Sequence, residues 1–450
     1  MLDTTKQALD HRIATEQHRR RAPSLVAAVV RDGAVLWSGA RGRVDGARPT
    51  EDTQYRIGSI TKTFVAVLIM RLRDDGKLSL DDPLSTHVPG TSFGDRTIGQ
   101  LLSHASGITA EPPGEWWERS DGRTWAAVAA STDESTLRTR GGWRFHYSNL
   151  GFAALGEVVA RLRGSSWLDA LRSEILSPLE MDRTTALPVA PHAAGWAVHP
   201  WADVVLPEPA HDARGMGPAG QLWSTVVDLG RWATFLGGDT GGVLTADSLA
   251  EMAEPVVVGD EDDPAYGLGL QMMPQQGRML VGHTGSMPGF LAAVWVDRQE
   301  RTGAVGLANT TGGLAMGDVV AGLVEEVATR EPREPAEWVP MAEVDQELLA
   351  VVGPWYWGPR GYALRLLADR WLELVPLQGD DWRCRFRPEA DGTWTGLDGY
   401  YQAETLKVVR NPDGSPSHLN LNTFILTRTP YDPEAPIPGG INPNPWQAAD

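Results

Sequence analysis

The chain has 450 residues, of which 42% are hydrophobic, and a formal net charge of −18 at pH 7. This length is enough for two or three domains. The acidic balance argues against nucleic acid as a partner, because phosphate binding requires clustered cations. The single cysteine, Cys384, excludes an intrachain disulfide and a multi-cysteine metal site.

The predicted elements begin with a helix at 3–20 and two strands at about 24–31 and 34–40, because Asp32-Gly33 between apolar runs is typical of a hairpin. Residues 59–73 carry apolar side chains on nearly every side, which predicts a buried helix. Helices are also predicted at 97–103, 150–162, 167–176, 226–236 and 316–328, and strands within 279–309. Strands from both ends of this region can pair in one sheet.

A domain boundary is predicted at 330–335, where two prolines lie among charged residues. Short β-patterned runs alternate with turn signals over 345–430, which is typical of a small antiparallel sheet or barrel. We therefore predict an α+β domain at 1–335, a small antiparallel sheet or barrel at 345–435 and a flexible tail at 436–450.

No targeting or membrane segment is evident. Residues 1–23 lack the apolar stretch of a signal peptide, and the apolar run at 64–70 is far too short to span a bilayer. We therefore expect a cytoplasmic protein with no membrane partner.

Ser59 and Lys62 are three residues apart in the most apolar predicted helix, so their Cβ atoms lie about 5–6 Å apart on one face. A lysine amine buried beside a hydroxyl can lose its charge and accept the hydroxyl proton. The N–H of Ser59, at the helix start, can face a developing oxyanion. The alternative is a plain helix start with a solvated lysine, although an idle ammonium would be costly to bury there.

A second motif is Tyr147-Ser148-Asn149. Residues two apart in an extended segment face the same way, so Tyr147 could relay a proton while the Asn149 amide holds a carbonyl. The alternative is a tyrosine packed under a loop.

A third motif, His283-Thr284-Gly285-Ser286, ends a predicted strand. Gly285 leaves a bare strip along which a substrate backbone could lie as an added strand, and the Ser286 N–H could be a second oxyanion donor. The alternative is a hairpin turn with an exposed histidine.

Taken in this order, the three motifs resemble those of the penicillin-recognising serine enzymes. The Tyr-x-Asn form is similar to that of class C β-lactamases, D-alanyl-D-alanine carboxypeptidases and related esterases. The resemblance covers roughly 20–330 and includes the stretches 97–107, 219–225 and 266–270. Residues after 345 resemble the β-barrel appendage of many members, which implies a small lipocalin-like β-barrel at 345–435.

The resemblance implies a β-lactamase/transpeptidase-like domain, in which the active site lies between an antiparallel sheet flanked by helices and a helical subdomain. No cofactor or metal is expected. The residues expected to be catalytic are Ser59, Lys62, Tyr147 and His283. The residues expected to bind the substrate or the oxyanion are Asn149, Thr284, Gly285 and Ser286.

His283 stands where these enzymes usually have a lysine. A lysine offers a permanent cation to a substrate carboxylate, whereas a histidine of ordinary pKa is mostly neutral at pH 7. We therefore expect a serine hydrolase that acts through an acyl-enzyme on esters or amides of small molecules or short peptides, including peptides with D-amino acids, rather than on β-lactams.

Two alternatives remain open. A penicillin-binding-protein-type thioesterase would release or cyclise a nonribosomal peptide, with a peptidyl carrier protein as partner. A catalytically idle binding or sensor protein would use the same scaffold without turnover, although every reactive position is filled.

Other polar residues are interpreted as structural. We expect His104 and His146 to be hydrogen-bonding residues, Arg428 to be a solvated strand residue, and the acidic run at 260–263 to be an exposed loop rather than a metal site. Loop tryptophans either form an acyl pocket or pack the loops. They are Trp116, Trp117, Trp125, Trp143, Trp196 and Trp201.

Overall fold

The computed structural model describes residues 1–259, 265–335, 337–379, 383–422, 424–441, 443–445 and 448. The acidic run at 260–263 lies outside these residues, as does part of the tail at 436–450. The chain divides into two compact units, Met1–Glu334 and Pro335–Asp450. The division falls within 330–335, the segment in which the sequence predicts a domain boundary.

The helices of the described residues are α1 Asp3–Arg19, α2 Thr61–Asp74, α3 Leu84–His87, α4 Ile98–Leu102, α5 Trp125–Ala130, α6 Asn149–Arg163, α7 Trp167–Leu171, α8 Gly217–Gly220, α9 Val226–Leu236, α10 Ala246–Met252, α11 Met316–Arg330 and α12 Gln346–Leu349. The strands of the first unit are β1 Ser24–Arg31, β2 Ala34–Gly42, β3 Tyr55–Arg56, β4 Trp196–Val198, β5 Val205–Pro207, β6 Trp223–Ser224, β7 Ala265–Tyr266, β8 Gln271–Gln275, β9 Arg278–Met287, β10 Phe290–Asp297 and β11 Thr302–Ala308. The strands of the second unit are β12 Gly353–Trp357, β13 Arg360–Leu366, β14 Leu372–Pro376, β15 Cys384–Pro388, β16 Trp394–Gly396, β17 Thr405–Arg410, β18 Pro416–Leu421 and β19 Phe424–Thr427.

Seven strands of the described residues form the main sheet, in the order β2-β1-β11-β10-β9-β8-β7. Strand β1 from the start of the unit pairs antiparallel with β11 from its end, as the sequence predicts. Alternate residues of β1 face opposite sides, because side chains alternate along a strand. Leu25 and Val29 pack with α1 and α11, whereas Val26 and Val30 join the core that contains α2 and α9. This architecture confirms the predicted α+β fold class.

Helix α2 lies in the centre of the unit, and every residue from Thr61 to Met70 is buried, as the apolar pattern predicts. Thr63 accepts a 2.9 Å hydrogen bond from Trp232, whose ring stacks on Phe64 at 3.9 Å. The helix differs from the prediction at its start, because Gly58–Ile60 form a separate 3₁₀ turn. Ser59 therefore lies in this turn and not in the α-helix.

Strands β7 and β8 were not predicted from the sequence. Gly267, Gly269 and Pro274 interrupt the apolar pattern there, and a strand that carries proline is confined to positions with an open edge. Strand β8 pairs with β9 only as far as Gly282. Residues 283–287 of β9 therefore have no strand partner on that side among the described residues.

The eight described strands of the second unit form a closed barrel in which each strand pairs with the next and β12 pairs with β19. Its core is rich in aromatic side chains. The expectation for Arg428 was wrong, because its guanidinium lies 3.9 Å from the centre of the Trp355 ring and donates hydrogen bonds to main-chain carbonyls that include Ala350 and Val351.

No helix of the described residues is both long and apolar enough to cross a bilayer.

Candidate active site

Ser59 lies where the 3₁₀ turn before α2 meets the open edge of β9. A Cβ atom on Gly58 would lie 2.6 Å from the nitrogen of Ser286, and Gly58 has a φ of +51°. A Cβ on Gly285 would lie 2.0 Å from the carbonyl oxygen of Ile57. Only glycine allows the turn and the strand to approach this closely, and the approach brings the backbone of Ser286 beside Ser59.

Lys62 is fully buried behind Ser59. Its Nζ lies 2.9 Å from Ser59 Oγ, 2.7 Å from Asn149 Oδ1 and 2.7 Å from the carbonyl oxygen of Ala219. All three partners are neutral oxygens. The nitrogen also lies 4.9 Å from the centre of the Tyr147 ring.

Burial lowers the pKa of Lys62 from 10.5 to about 7, and the negative charges of Glu111 and Glu118 oppose this shift. Desolvation disfavours the charged form of a buried lysine. Near neutral pH a large fraction of the molecules therefore carries an uncharged amine beside Ser59.

Tyr147 hydrogen-bonds the Ser59 side chain through its phenol, and burial raises the Tyr147 pKa. Its ring lies 4.1 Å from that of His104. The Nδ1 atom of His104 accepts the backbone N–H of Ser148 at 3.0 Å, as expected of a hydrogen-bonding residue. The phenol remains protonated through the neutral pH range, when Lys62 can be uncharged.

Asn149, at the first turn of α6, links Lys62 to a loop carboxylate. Its Nδ2 donates to Glu111 at 2.6 Å, and Glu111 also accepts the indole N–H of Trp117 at 2.6 Å. The carboxamide orientation is therefore defined at both ends, with the oxygen directed at Lys62.

His283 is buried in β9, and burial lowers its pKa to about 3. Its Nδ1 donates to the carbonyl oxygen of Thr284, because a carbonyl can only accept. The other ring nitrogen, Nε2, lies 3.0 Å from the Tyr266 hydroxyl, which donates to it. His283 is therefore a neutral side chain whose two nitrogens are both engaged within the protein.

A cavity of about 270 Å³ opens beside Ser59, and six of the eight predicted site residues line it. They are Ser59, Tyr147, His283, Thr284, Gly285 and Ser286. The other two, Lys62 and Asn149, are buried behind Ser59. None of the loop tryptophans considered above is among the described residues that line this cavity.

Four side chains that contact or influence the site residues were not identified from the sequence. Glu111 bonds Asn149, Tyr266 bonds His283, and the Oε1 atom of Gln271 accepts hydrogen bonds from Thr284. Glu118 acts on the pKa of Lys62 through its charge. Tyr266 lies within 266–270, one of the stretches that resemble the family, and this resemblance is the sequence signal that could have identified it. Glu111 and Glu118 lie in a loop rich in proline and glycine that has no such signal.

No group of side chains suited to hold a metal ion occurs among the described residues.

The Beta-lactamase family model matches residues 9–329. The chain belongs to this family. This confirms the resemblance drawn from the motifs of Ser59, Tyr147 and His283. A second family model, described as a domain of unknown function (DUF7586), matches residues 344–428.

The chain is also similar to individual proteins: Penicillin-binding protein 4 of Amycolatopsis lactamdurans is 30% identical over 359 residues, covering 74% of this chain and 91% of that protein. The octameric penicillin-binding protein homologue from Pyrococcus abyssi has a TM-score of 0.65 at 22% identity, covering 94% of this chain and 100% of that one. A D-stereospecific amidohydrolase from Streptomyces sp. has a TM-score of 0.60 at 26% identity, covering 73% of this chain and 98% of that one.

Proposed function

We propose that the protein is a serine hydrolase that cleaves ester or amide bonds through an acyl-enzyme on Ser59. The observation that carries this proposal is the 2.9 Å contact between Ser59 Oγ and the buried Nζ of Lys62. An uncharged amine has two N–H groups and one lone pair. The N–H groups match the oxygens of Asn149 and Ala219, so the lone pair is left for the Ser59 proton.

In the first step, Ser59 Oγ bonds to the substrate carbonyl carbon, its proton passes to Lys62, and the carbonyl electrons move to the oxygen. Two backbone N–H groups can stabilise this oxyanion, those of Ser59 and Ser286. In an antiparallel pair, N–H groups point alternately toward and away from the partner strand. The Thr284 N–H points away from β10, toward Gln271, so the Ser286 N–H lies on the same open edge.

In the second step, the oxyanion collapses and the bond to the leaving group breaks. The Tyr147 phenol donates its proton to that group and is reprotonated by the Lys62 ammonium. This division follows the order of the pKa values, because burial lowers that of Lys62 and raises that of Tyr147. Water then attacks the acyl carbon by the same route in reverse and releases Ser59.

The substrates that fit this site are esters or amides of small molecules or short peptides, including those with D-amino acids. The likeness to a D-stereospecific amidohydrolase at 26% identity supports amides of D-residues. The name of the Amycolatopsis protein raises penicillin as a rival acyl donor. The neutral His283 offers no cation to the carboxylate of a penicillin, which favours the uncharged substrates.

Intact-mass measurement after mixing with p-nitrophenyl butyrate tests the proposal. We expect a butyryl adduct that forms and decays on the wild type and on Ser165→Ala, a control at an exposed serine, but not on Ser59→Ala. If neither p-nitrophenyl butyrate nor a D-amino-acid amide leaves an adduct on the wild type, the idle binding or sensor protein becomes the better interpretation.

A thioesterase that works with a peptidyl carrier protein stays a prediction. The same Ser59 chemistry would apply, since a thioester is an activated acyl group. Faster turnover of a peptidyl thioester on its carrier than of the free thioester would support it, and equal rates would leave the simple hydrolase.

A further inference from the structure

We infer that Gln271 is a specificity-determining residue that fills, from within the chain, a subsite where a substrate carboxylate would otherwise bind. This inference rests on the proposed acyl transfer at Ser59. It deepens that function by assigning neutral acyl groups as the preferred substrates, and by naming the residue that makes the choice.

Two donors converge on one oxygen of Gln271. Its Oε1 accepts the backbone N–H of Thr284 at 2.8 Å and the Thr284 hydroxyl at 3.1 Å. A backbone N–H can only donate, so the carboxamide must present its oxygen here. Adjacent N–H and O–H groups that point to one position are what a carboxylate oxygen requires, and Gln271 occupies that position.

The fold explains why this residue reaches that position. Gln271 is the first residue of β8 and pairs with Gly282 of β9. Beyond Gly282 no strand of the described residues pairs with this edge of β9, and the Gln271 side chain extends along it to accept hydrogen bonds from Thr284. Both residues line the cavity that also contains Ser59.

The described residues that line the rest of the cavity provide no positive charge to pair with an anion. None of its described lining residues is lysine or arginine. His283 is neutral and bonded through both nitrogens, and Leu291 and Met316 add apolar surface. A carboxylate that enters would lose water and gain no charge partner, which is costly. A neutral acyl group avoids this loss.

Removing Gln271 frees the two Thr284 donors, and the test compares two esters that differ by one carboxylate. The substrates are p-nitrophenyl butyrate and the mono-p-nitrophenyl ester of glutaric acid, and the readout is the ratio of kcat/KM for the anionic ester to kcat/KM for the neutral one. We expect Gln271→Ala to raise this ratio about tenfold, the size of effect that a charge-assisted hydrogen bond supports. Gln271→Glu keeps an acceptor for Thr284 but adds a negative charge, so it should lower the ratio.

Gln275→Ala, in the same strand but outside the cavity lining, is the matched control and should keep the wild-type ratio. An unchanged ratio in both Gln271 variants, or a loss of both activities in parallel, would overturn the inference. Hydrolysis of the neutral ester by the wild type reports separately on the proposed function. If no ester turns over, the dissociation constants of the two esters in Ser59→Ala, with and without Gln271→Ala, decide the inference: a selective gain for the anionic ester supports it and equal changes refute it.

Discussion

The buried charge of the barrel is paired with opposite charges, whereas the buried lysine beside Ser59 contacts neutral oxygens. In the barrel, Glu373 is 4% exposed and accepts hydrogen bonds from Arg383 at 2.8 Å and from Arg365 at 3.4 Å. In the first unit, the partners of Lys62 are a hydroxyl, a carboxamide oxygen and a main-chain carbonyl.

The difference teaches which buried charge is available for chemistry. An opposite charge in contact offsets part of the cost of removing a charged group from water. A buried group with only neutral partners moves its pKa toward neutral pH, as Lys62 does. Such displaced values cluster at functional sites. The comparison therefore supports the proposed role of Lys62 as the proton acceptor, whereas Glu373 is part of the barrel structure.

Replacing Lys62 should produce the largest effect on activity. We expect Lys62→Met to lower kcat/KM for p-nitrophenyl butyrate by about 10²–10⁴-fold, the usual contribution of a general base. It should also change how stability depends on pH. The Lys62 pKa is about 7 in the folded chain and 10.5 ordinarily, so between these values the unfolded chain binds one more proton and the free energy of unfolding of the wild type rises with pH.

The slope of this rise should be about 1.4 kcal/mol per pH unit relative to Lys62→Met. Below pH 7 both states hold the proton, and the difference between wild type and variant should become constant. Urea unfolding at several pH values from 6 to 10 measures it. Lys77→Met, at an exposed lysine, is the control. Parallel curves for wild type and Lys62→Met would show that Lys62 has an ordinary pKa.

In the barrel, we expect replacement of the buried Trp355 to lower the stability. Trp355 is fully buried, donates to the carbonyl oxygen of Val351 at 2.8 Å and lies under the Arg428 guanidinium. Trp355→Ala should lower the free energy of unfolding of the barrel by about 3–5 kcal/mol, since it leaves a cavity and unpaired groups. Urea unfolding followed by circular dichroism measures this. Trp338→Ala, at a position that is 86% exposed, should cost little, and equal small losses in both variants would mean that the ring is not central to the barrel.

Periodicity predicted the elements whose apolar pattern is continuous. Helix α9 has the bounds that were expected, and α2 is buried on all sides. Strand β8 was missed because Pro274 and the neighbouring glycines break the pattern, and its pairing with β9 depends on contacts formed only in the folded sheet. The separate 3₁₀ turn at Ser59 was missed because the same residues also satisfy a helical pattern.

The motifs predicted the residues around Ser59 but not their partners. Ser59 and Lys62 are three residues apart, and the 3₁₀ turn runs directly into α2, so their proximity follows from local geometry. Glu111 reaches Asn149 across 38 positions of the sequence, and Gln271 reaches Thr284 across 13. Contacts between a loop or an edge strand and a motif leave no periodic signal. Likewise, the sequence indicated a mostly neutral His283, but the extent of its pKa shift depends on burial.

Neutralising Glu111 should have a smaller effect, on the pH dependence of catalysis. The Glu111 charge raises the pKa of Lys62 against the effect of burial, so Glu111→Gln should lower that pKa further. Lys62 must be uncharged to accept the Ser59 proton, and the acid limb of kcat/KM should therefore move from near pH 7 to lower pH. A pH–rate profile with p-nitrophenyl butyrate measures the shift. Glu115→Gln, at an exposed position of the same loop, should leave the limb close to its wild-type position.

Ionic strength separates a charge effect from a structural one. Glu111 also bonds Asn149 and Trp117, so a variant could lose activity because Asn149 moves. Loss of that contact would lower kcat/KM at every pH and would respond weakly to salt. A Coulomb effect from a carboxylate at the solvent border is screened, since the Debye length falls from about 30 Å at 0.01 M salt to about 3 Å at 1 M. The limbs of wild type and Glu111→Gln should therefore approach each other as salt increases, and a kcat/KM that falls at every pH without a shift of the limb would assign Glu111 to holding Asn149 rather than to setting the pKa of Lys62.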